Sequence, residues 1–518
     1  MPIRRGSPTW SPGSDGPGVK LALLVLALAG ALCLEAAQAA ERKVLRVGTS
    51  GDYAPFSVRT ASDGAEAKDD AGAGIAYSGF DIEVARRFAG DHGYAMELVP
   101  FRWPELSRDL SAGKFDVAMG GVTVRGDRAV IGGFTIPVVL SHAMALAWKG
   151  AGIDDVGDLN RRSRRIAVNA GGYLEGVAKR TFFLATVVPL PDNRAVHMAL
   201  MDRWTDAVVT DSFEEKAWTA TARDVVRIGP LSDDRKAYLV RADRADLLTQ
   251  LNDWLLRRER DGSLARMRSE RLGPGMHAAT AEPLAALVSS IVERMAMMPL
   301  VYAAKREAKR TIEDKAQESK VLEASVSAAI DAARHRKRAP SDAGDVQRVF
   351  KVLIEAGKDV QLRLAEEDRQ RRQVKEREAA ELAAVSGGAS GDGAERDVAG
   401  ASNAGGGSDS GAGGGDGAAN ATGAATAPLP LSARLTGLMA AQNEDIPLYD
   451  LDTQLRPALA RVTAKVALLL VVLDKPLTVE AVHVRLAEGL SEQRLSPQRL
   501  QEIAEAITAV AASNAASD

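Results

Sequence analysis

The stretch Leu287 to Glu318, LVSSIVERMAMMPLVYAAKREAKRTIEDKAQE, constrains this chain most. Apolar residues at Leu284, Leu287, Val288, Ile291, Met295 and Met298 repeat at three and four positions, which predicts a helix with one buried stripe. Arg294 and Lys305 lie 11 residues apart, about three turns, so a continuous helix projects both from nearly one face. Their backbones would then stand roughly 16 Å apart at about 1.5 Å per residue, close enough for two long cationic side chains to clasp a small dianion. A short helix is expected to open at Glu313-Asp314, with Glu318 one turn in. Inward cations need an anionic partner, because an unpaired buried charge is costly.

The 518 residues suffice for two or three domains. A net charge of −3 and an aromatic content of 4% suggest neither a nucleic-acid surface nor an acidic tail. Residues 1–40 read as a cleavable signal peptide: Arg4, Arg5 and Lys20 are basic, Leu21 to Leu34 is apolar, and Ala37-Gln38-Ala39 is a small-residue cleavage site. The apolar run is too short to span a bilayer comfortably, and so is AKVALLLVVL near the C-terminus. No stable membrane span is expected after cleavage, which places the mature chain in the periplasm or outside the cell. The single cysteine, Cys33, falls inside the signal segment, so the mature chain needs no disulfide.

Residues 41–275 alternate strands with helices. Val44–Gly48, Met96–Phe101, Phe115–Gly120, Arg165–Asn169 and Ala207–Thr210 read as buried strands, and Asp81–Gly90 and Leu247–Leu256 as helices. Gly-rich turns follow several strands, where open α/β sheets place ligand sites. GTSGDYAPFS at 48–57 is no phosphate loop, because no Gly-Lys-Ser/Thr follows. An Ala/Gly/Asp-rich insertion at about 61–75 reads as a flexible hairpin extension. Gly273-Pro274 closes this part, residues 276–283 form a linker, and 284–518 return to helical periodicity. Within that half, residues 386–428 are almost wholly Gly, Ala, Ser and Asp, and are expected to be a disordered loop. The basic run Arg334-His335-Arg336-Lys337-Arg338 reads as a solvated helix end, with an anion-steering patch as the other reading.

The run ERM…MMPLVYAAK…IED…QE, followed by RVFKVLIEAGKDVQ at 348–361, resembles the helical chorismate mutases of the secreted γ class over about 283–367, and more weakly over 449–510. The resemblance implies that Arg294 grips one substrate carboxylate and Lys305 polarises the breaking ether oxygen. It implies further that Glu318 binds the ring hydroxyl and Gln361 donates to the ether oxygen. Arg456, in DLDTQLRPAL, matches the second carboxylate-binding arginine. A Gln at 361 donates without needing a proton. Gln317 stands where the family has an arginine and Gly357 where it has Ser or Thr, both beside the substrate; Lys320 is one turn from Gln317 and could replace the lost charge.

GDYAPFSVRT, YSGFDIEVARRFA, WPELSRDL, KFDVAMGGVTVRGDR, FTIP, VNAGG, PDN and VVTDSFE occur in the order found in type II periplasmic solute-binding proteins, over about 43–272. GDYxPFS, Trp103-Pro104 and TDxxE resemble the cyclohexadienyl dehydratase branch, which converts prephenate or arogenate to phenylpyruvate or phenylalanine. That likeness implies Glu214 as general acid and Arg128 as a carboxylate-binding fork. Asp52, Trp103, Thr123, Asn169, Gly171, Gly172 and Asp211 match positions lining the cleft. Two departures stand out. Tyr173 and Leu174 replace polar residues, and the family's lysine falls on Ala143. The other readings of Glu214 and Arg128 are a solvent-facing helix charge and a surface ion pair.

The fold expected is therefore α/β plus all-α: a bilobate binding-protein-like domain followed by a helical mutase-like domain. The six histidines lack metal-ligand spacing, and no nucleophile elbow or dinucleotide fingerprint is present. No metal or organic cofactor is expected. The partners expected are chorismate, prephenate and arogenate. Assembly into a homo-oligomer is expected by analogy with both families. The alternative keeps the mutase and makes the first domain a non-catalytic binder of a small carboxylate or amino acid.

Overall fold

The short run Ala207–Asp211 buries every side chain and Val44–Thr49 all but Val44 and Arg46, and strands buried on both faces need helices on both sides. A computed structural model describes residues 43–61, 75–220, 222, 224–273, 282–387 and 447–517. The signal segment, the 276–281 linker and residues 388–428 of the Gly-rich run lie outside the described residues, as does most of the 61–75 insertion.

Residues 43–273 form a bilobate α/β unit. The first lobe carries a five-stranded sheet in the order Ala95–Pro100, Val44–Thr49, Val117–Ala118, Leu239–Arg241, Gly132–Phe134. The second carries Thr186–Leu190, Arg165–Asn169, Ala207–Asp211, Ala143–Trp148 and Val225–Ile228. Between them the chain crosses twice, and the antiparallel pair Val139–Ser141 with Asp234–Lys236 forms on these crossings. The expected strand at 115–120 contracts to Val117–Ala118. The other expected strands and the helix at 81–90 appear within about two residues of their sequence positions, and the expected helix Leu247–Leu256 extends to Ala245–Arg260.

The C-terminal region is mostly helical. Leu287 to Glu307 is not one helix. Pro283–Ala296 and Met298–Glu307 meet at Met297 (φ −84°, ψ −14°), because Pro299 lacks the N–H that would continue the ladder. The helix opening at Lys315 is longer than expected, running 21 residues to His335, with the Asp314 carboxylate capping Gln317 N at 3.0 Å. Arg456–Val471 packs along it, and Ala343–Gly387 and Pro497–Ser517 complete the bundle. Pro283–Glu307 is apolar and long enough to cross a membrane, but 78% of its most apolar window is buried in the protein's own core.

That core does not stop at the boundary between the two regions. Buried side chains run without a break from Leu45 and Val117 in the first lobe to Ile291, Val466 and Ile507 in the bundle. At the junction the helices of Glu293 and Lys465 lie against Gly126–Phe134. Lys465 Nζ donates to Phe134 O at 2.7 Å and pairs with Glu293, both side chains being buried. Arg461 Nη2 donates to Ala129 O at 3.1 Å and Val130 O at 2.9 Å. A Cβ at Gly126 would lie 2.5 Å from Ala296 O, so only glycine allows this approach. The basic run at 334–338 is not merely a solvated end. Arg336 and His335 pair with Asp253 on the helix Ala245–Arg260, and Arg338 with Asp474 at 3.0 Å.

Breaking a buried ion pair on one side leaves the other charge without compensation, at about 3–5 kcal/mol. Lys465→Met is therefore expected to lower the urea midpoint of the full chain by that much stability. Lys465→Met combined with Glu293→Leu should recover most of it. Equal losses in the single and double variants would show that the pair is not what fixes the junction.

Candidate functional site

Two constellations of predicted residues come together, one in each region.

In the helical region, Arg294, Lys305, Gln317, Glu318, Gly357, Gln361 and Arg456 all line one cavity of about 340 Å³. The floor is apolar, from Met298, Val301, Leu353 and Leu459, and the rim is charged. Five cations (Arg294, Lys305, Lys320, Lys358 and Arg456) face two carboxylates (Asp314 and Glu318), so the cavity is net positive. Arg294 is buried, its only side-chain bond among the described residues being to Thr463 Oγ1 at 3.3 Å. Burial alone pulls its guanidinium down to about 10. Burial also lowers the Lys305 ammonium, which donates to Ile312 O. Arg456 reaches across the bundle to Asp314 at 2.9 Å.

Gln361 Nε2 donates back to Gly357 O at 3.1 Å, while its Oε1 is buried without a partner. Glu318 is held by Lys358 at 2.9 Å. The absence of a side chain at Gly357 leaves Met298 Sδ only 2.8 Å from where a Cβ would stand. Sequence reasoning missed Thr463 and Lys358. Lys358 directly follows Gly357, and unlike the exposed Lys320 it is held over the cavity by Glu318 and Glu355.

The second constellation lies between the lobes. Arg128 is buried on the short helix Gly126–Ile131 and donates to Thr123 O at 3.3 Å. Its guanidinium lies 6.0 Å from the Trp103 ring, and Trp103 Nε1 donates to Asp52 at 3.2 Å. No carboxylate among the described residues pairs with it, and burial lowers it to about 9. This is not a surface ion pair. Opposite, Asp211 caps the helix Ser212–Thr219, accepting from Phe213 N at 2.9 Å and Glu214 N at 3.1 Å. Glu214 is buried rather than solvent-facing, and takes a bond from Thr210 Oγ1 at 2.7 Å. Burial first, and the Asp211 charge second, push its carboxyl well above the usual range.

Asn169 is engaged with Asn193 and keeps a buried Oδ1 without a partner. Gly171 adopts φ +67°, and a Cβ there would meet Pro104 of the other lobe at 3.0 Å. Gly172 is the N-cap residue of the helix that starts at Tyr173. Ala143 pairs across the sheet with Asp211, and the cation missing at 143 arrives from elsewhere. Lys236, buried, puts its Nζ 3.3 Å from Asp211 Oδ2, 2.9 Å from Thr123 Oγ1 and 5.1 Å from the Tyr53 ring centroid. Sequence reasoning passed over it, because DDRK at 233–236 reads as surface.

With this geometry in hand, the comparisons acquire meaning. Residues 45–273 match the model of the bacterial extracellular solute-binding proteins, family 3. Cyclohexadienyl dehydratase of Pseudomonas aeruginosa is 30% identical over 259 residues, 48% of this chain and 91% of that protein. Through these residues, the chain belongs to the family 3 extracellular solute-binding proteins. The arginine-binding extracellular protein ArtP of Bacillus subtilis is 25% identical over 138 residues, covering 27% of this chain and 48% of ArtP. The ancestral amino acid-binding protein AncCDT-1, a precursor of cyclohexadienyl dehydratase, is 29% identical and covers 44% of this chain and 95% of its own, with a TM-score of 0.38.

The cleft of this family 3 protein is rich in enclosed acid groups. Burial raises Asp81 to about 7, against bonds from Gly121 N at 2.6 Å and Tyr238 at 3.1 Å, and it raises Asp234 to about 6. A carboxyl whose pKa is raised by folding favours the folded state when protonated. That contribution is whole below about 4 and is lost as pH rises towards 7. The urea midpoint is therefore expected to fall between pH 5 and pH 8, and Asp81→Asn should flatten the slope. An unchanged slope in the variant would show that Asp81 is ionised throughout.

Proposed function

We propose that the chain is an exported bifunctional enzyme. The helical region would rearrange chorismate to prephenate, and the family 3 region would convert prephenate, or arogenate, to phenylpyruvate or phenylalanine. The observation that carries the first half is the convergence of Arg294, Lys305 and Arg456 on one cavity of about 340 Å³. A pericyclic rearrangement needs no nucleophile. Enclosure in the bent reactive shape and cations placed at the carboxylates and the breaking ether bond supply the rate. Arg294 and Arg456 hold the carboxylates, Lys305 and Gln361 face the ether oxygen, and Glu318 takes the ring hydroxyl.

In the second half, Glu214 protonates the leaving hydroxyl, the ring C–O bond breaks, and water departs. The opposite C–C bond breaks, carbon dioxide leaves, and its electron pair completes the aromatic ring. Support comes from the 30% identity to a cyclohexadienyl dehydratase, from the buried, raised Glu214 carboxyl, and from a buried arginine with no ion pair among the described residues. Export rests on the basic, apolar and small-residue pattern of residues 1–40, and the family name agrees with it. The domain limits at 275 and 284, and the loop at 386–428, belong to the same reading. A second reading keeps the mutase and makes the first domain a binder without turnover, favoured by the arginine-binding relative.

Glu214→Gln is expected to lower phenylpyruvate formation from prephenate by about 10²–10⁴-fold, read by its ultraviolet absorbance, while chorismate loss continues. Arg294→Ala should do the reverse. Binding of prephenate without turnover in the parent chain would remove the dehydratase and leave the binder. The pH profiles should also separate. Dehydratase rate is lost as pH rises through the Glu214 pKa, because the acid form is the donor. Mutase rate stays flat from weakly acidic to neutral pH, because Gln361 does not titrate. A steep mutase loss over that range with the fold intact would count against Gln361 in that role.

A further inference from the structure

We propose that Lys236 sets the ligand class of the interlobe cleft: it fills the ammonium position at Asp211 with the protein's own ammonium, so the cleft selects 2-oxo acids over 2-amino acids. The inference rests on the dehydratase reading only for the ring the ligand carries.

A 2-amino acid brings one ammonium and one carboxylate, and a closed cleft must pair both. On the cationic side the cleft has spare capacity. Arg128 is 3% exposed and forms no ion pair among the described residues. On the anionic side Asp211 has nothing to spare. Asp211 gives one oxygen to the backbone of Phe213 and Glu214, and the other to Lys236 Nζ at 3.3 Å. Glu214 is engaged by Thr210 and Asp52 by Trp103, each through one oxygen, while Asp234 takes Ser232 Oγ at 2.7 Å on one oxygen and keeps the other enclosed and unpartnered. Asp81 is closed off by Gly121 and Tyr238.

An ammonium arriving at Asp211 would have to displace Lys236 or sit beside that buried cation without the carboxylate. Either costs affinity. A 2-oxo acid escapes that cost. Its carboxylate meets Arg128, and its carbonyl oxygen can accept the donor that Lys236 retains beyond Thr123 and Asp211. Prephenate carries such an oxo-acid side chain, whereas arogenate carries the amino-acid version, so prephenate is the substrate this cleft prefers. Lys236 acts through Asp211 and is a positioning residue in this account.

The test is calorimetric titration of the full chain with two unreactive probes that differ at one carbon, phenylpyruvate and phenylalanine. The parent chain is expected to bind phenylpyruvate at least about tenfold more tightly. Lys236→Arg should keep that ratio, and Lys236→Met should bring it to about one or reverse it, in a chain that circular dichroism shows to be folded. Should Lys236→Met not fold, Lys236→Met with Asp211→Asn removes both charges at once and is expected to lose the ratio too. Equal or tighter binding of phenylalanine by the parent chain overturns the proposal. So does absence of phenylpyruvate binding, or a ratio that survives loss of Lys236. If the ratio holds while prephenate is not turned over, the filter stands and the dehydratase reading falls.

Discussion

A buried ion pair, Glu293 with Lys465, holds this architecture together, because its two helices also carry the residues of the cationic cavity. Arg294 follows Glu293 directly, and Thr463 precedes Lys465 by two positions. One side of each helix therefore faces the first lobe and the other faces the cavity. Lys465 spends its remaining donor capacity on main-chain oxygens of Phe134 and Thr135, so the charge is satisfied from both regions. The same segment, Gly126–Phe134, holds Arg128 on its far side.

The two sites are electrostatic opposites built from one set of rules. In the bundle, five cations around two carboxylates leave a net positive cavity, suited to a doubly negative ligand. In the cleft, enclosed carboxyls outnumber cations, and burial with like charges nearby pushes them towards the neutral form. One site can hold charge, and the other can hold and release a proton. That difference suits a reaction needing only positioning and one needing an acid.

Much of this was legible in the chain. The strands at Arg165–Asn169 and Ala207–Asp211 follow from short apolar runs, and the helical cavity follows from residues at helical spacing with a motif run. The break within Leu287–Glu307 was not, because apolar periodicity continues across Met297 while Pro299 ends the hydrogen-bond ladder. Lys236 was hidden for another reason. It sits among charged neighbours on a two-stranded crossing, where burial is decided by residues more than 90 positions earlier in the chain. Arg336 and Arg338 likewise read as solvated until Asp253 and Asp474 arrive from remote segments.

Gly126 packs against the carbonyl of Ala296 with no room for a methyl group, so the border between the two halves is as tight as the inside of either. Severing the chain there would not liberate two finished molecules. Each fragment would carry a freshly bared oily face, and the helical one would keep its Glu293–Lys465 pair while losing the main-chain oxygens of Phe134 and Thr135 that complete it. The partnership is thus inherited by the fold itself, and whatever the two halves do, they do as one body.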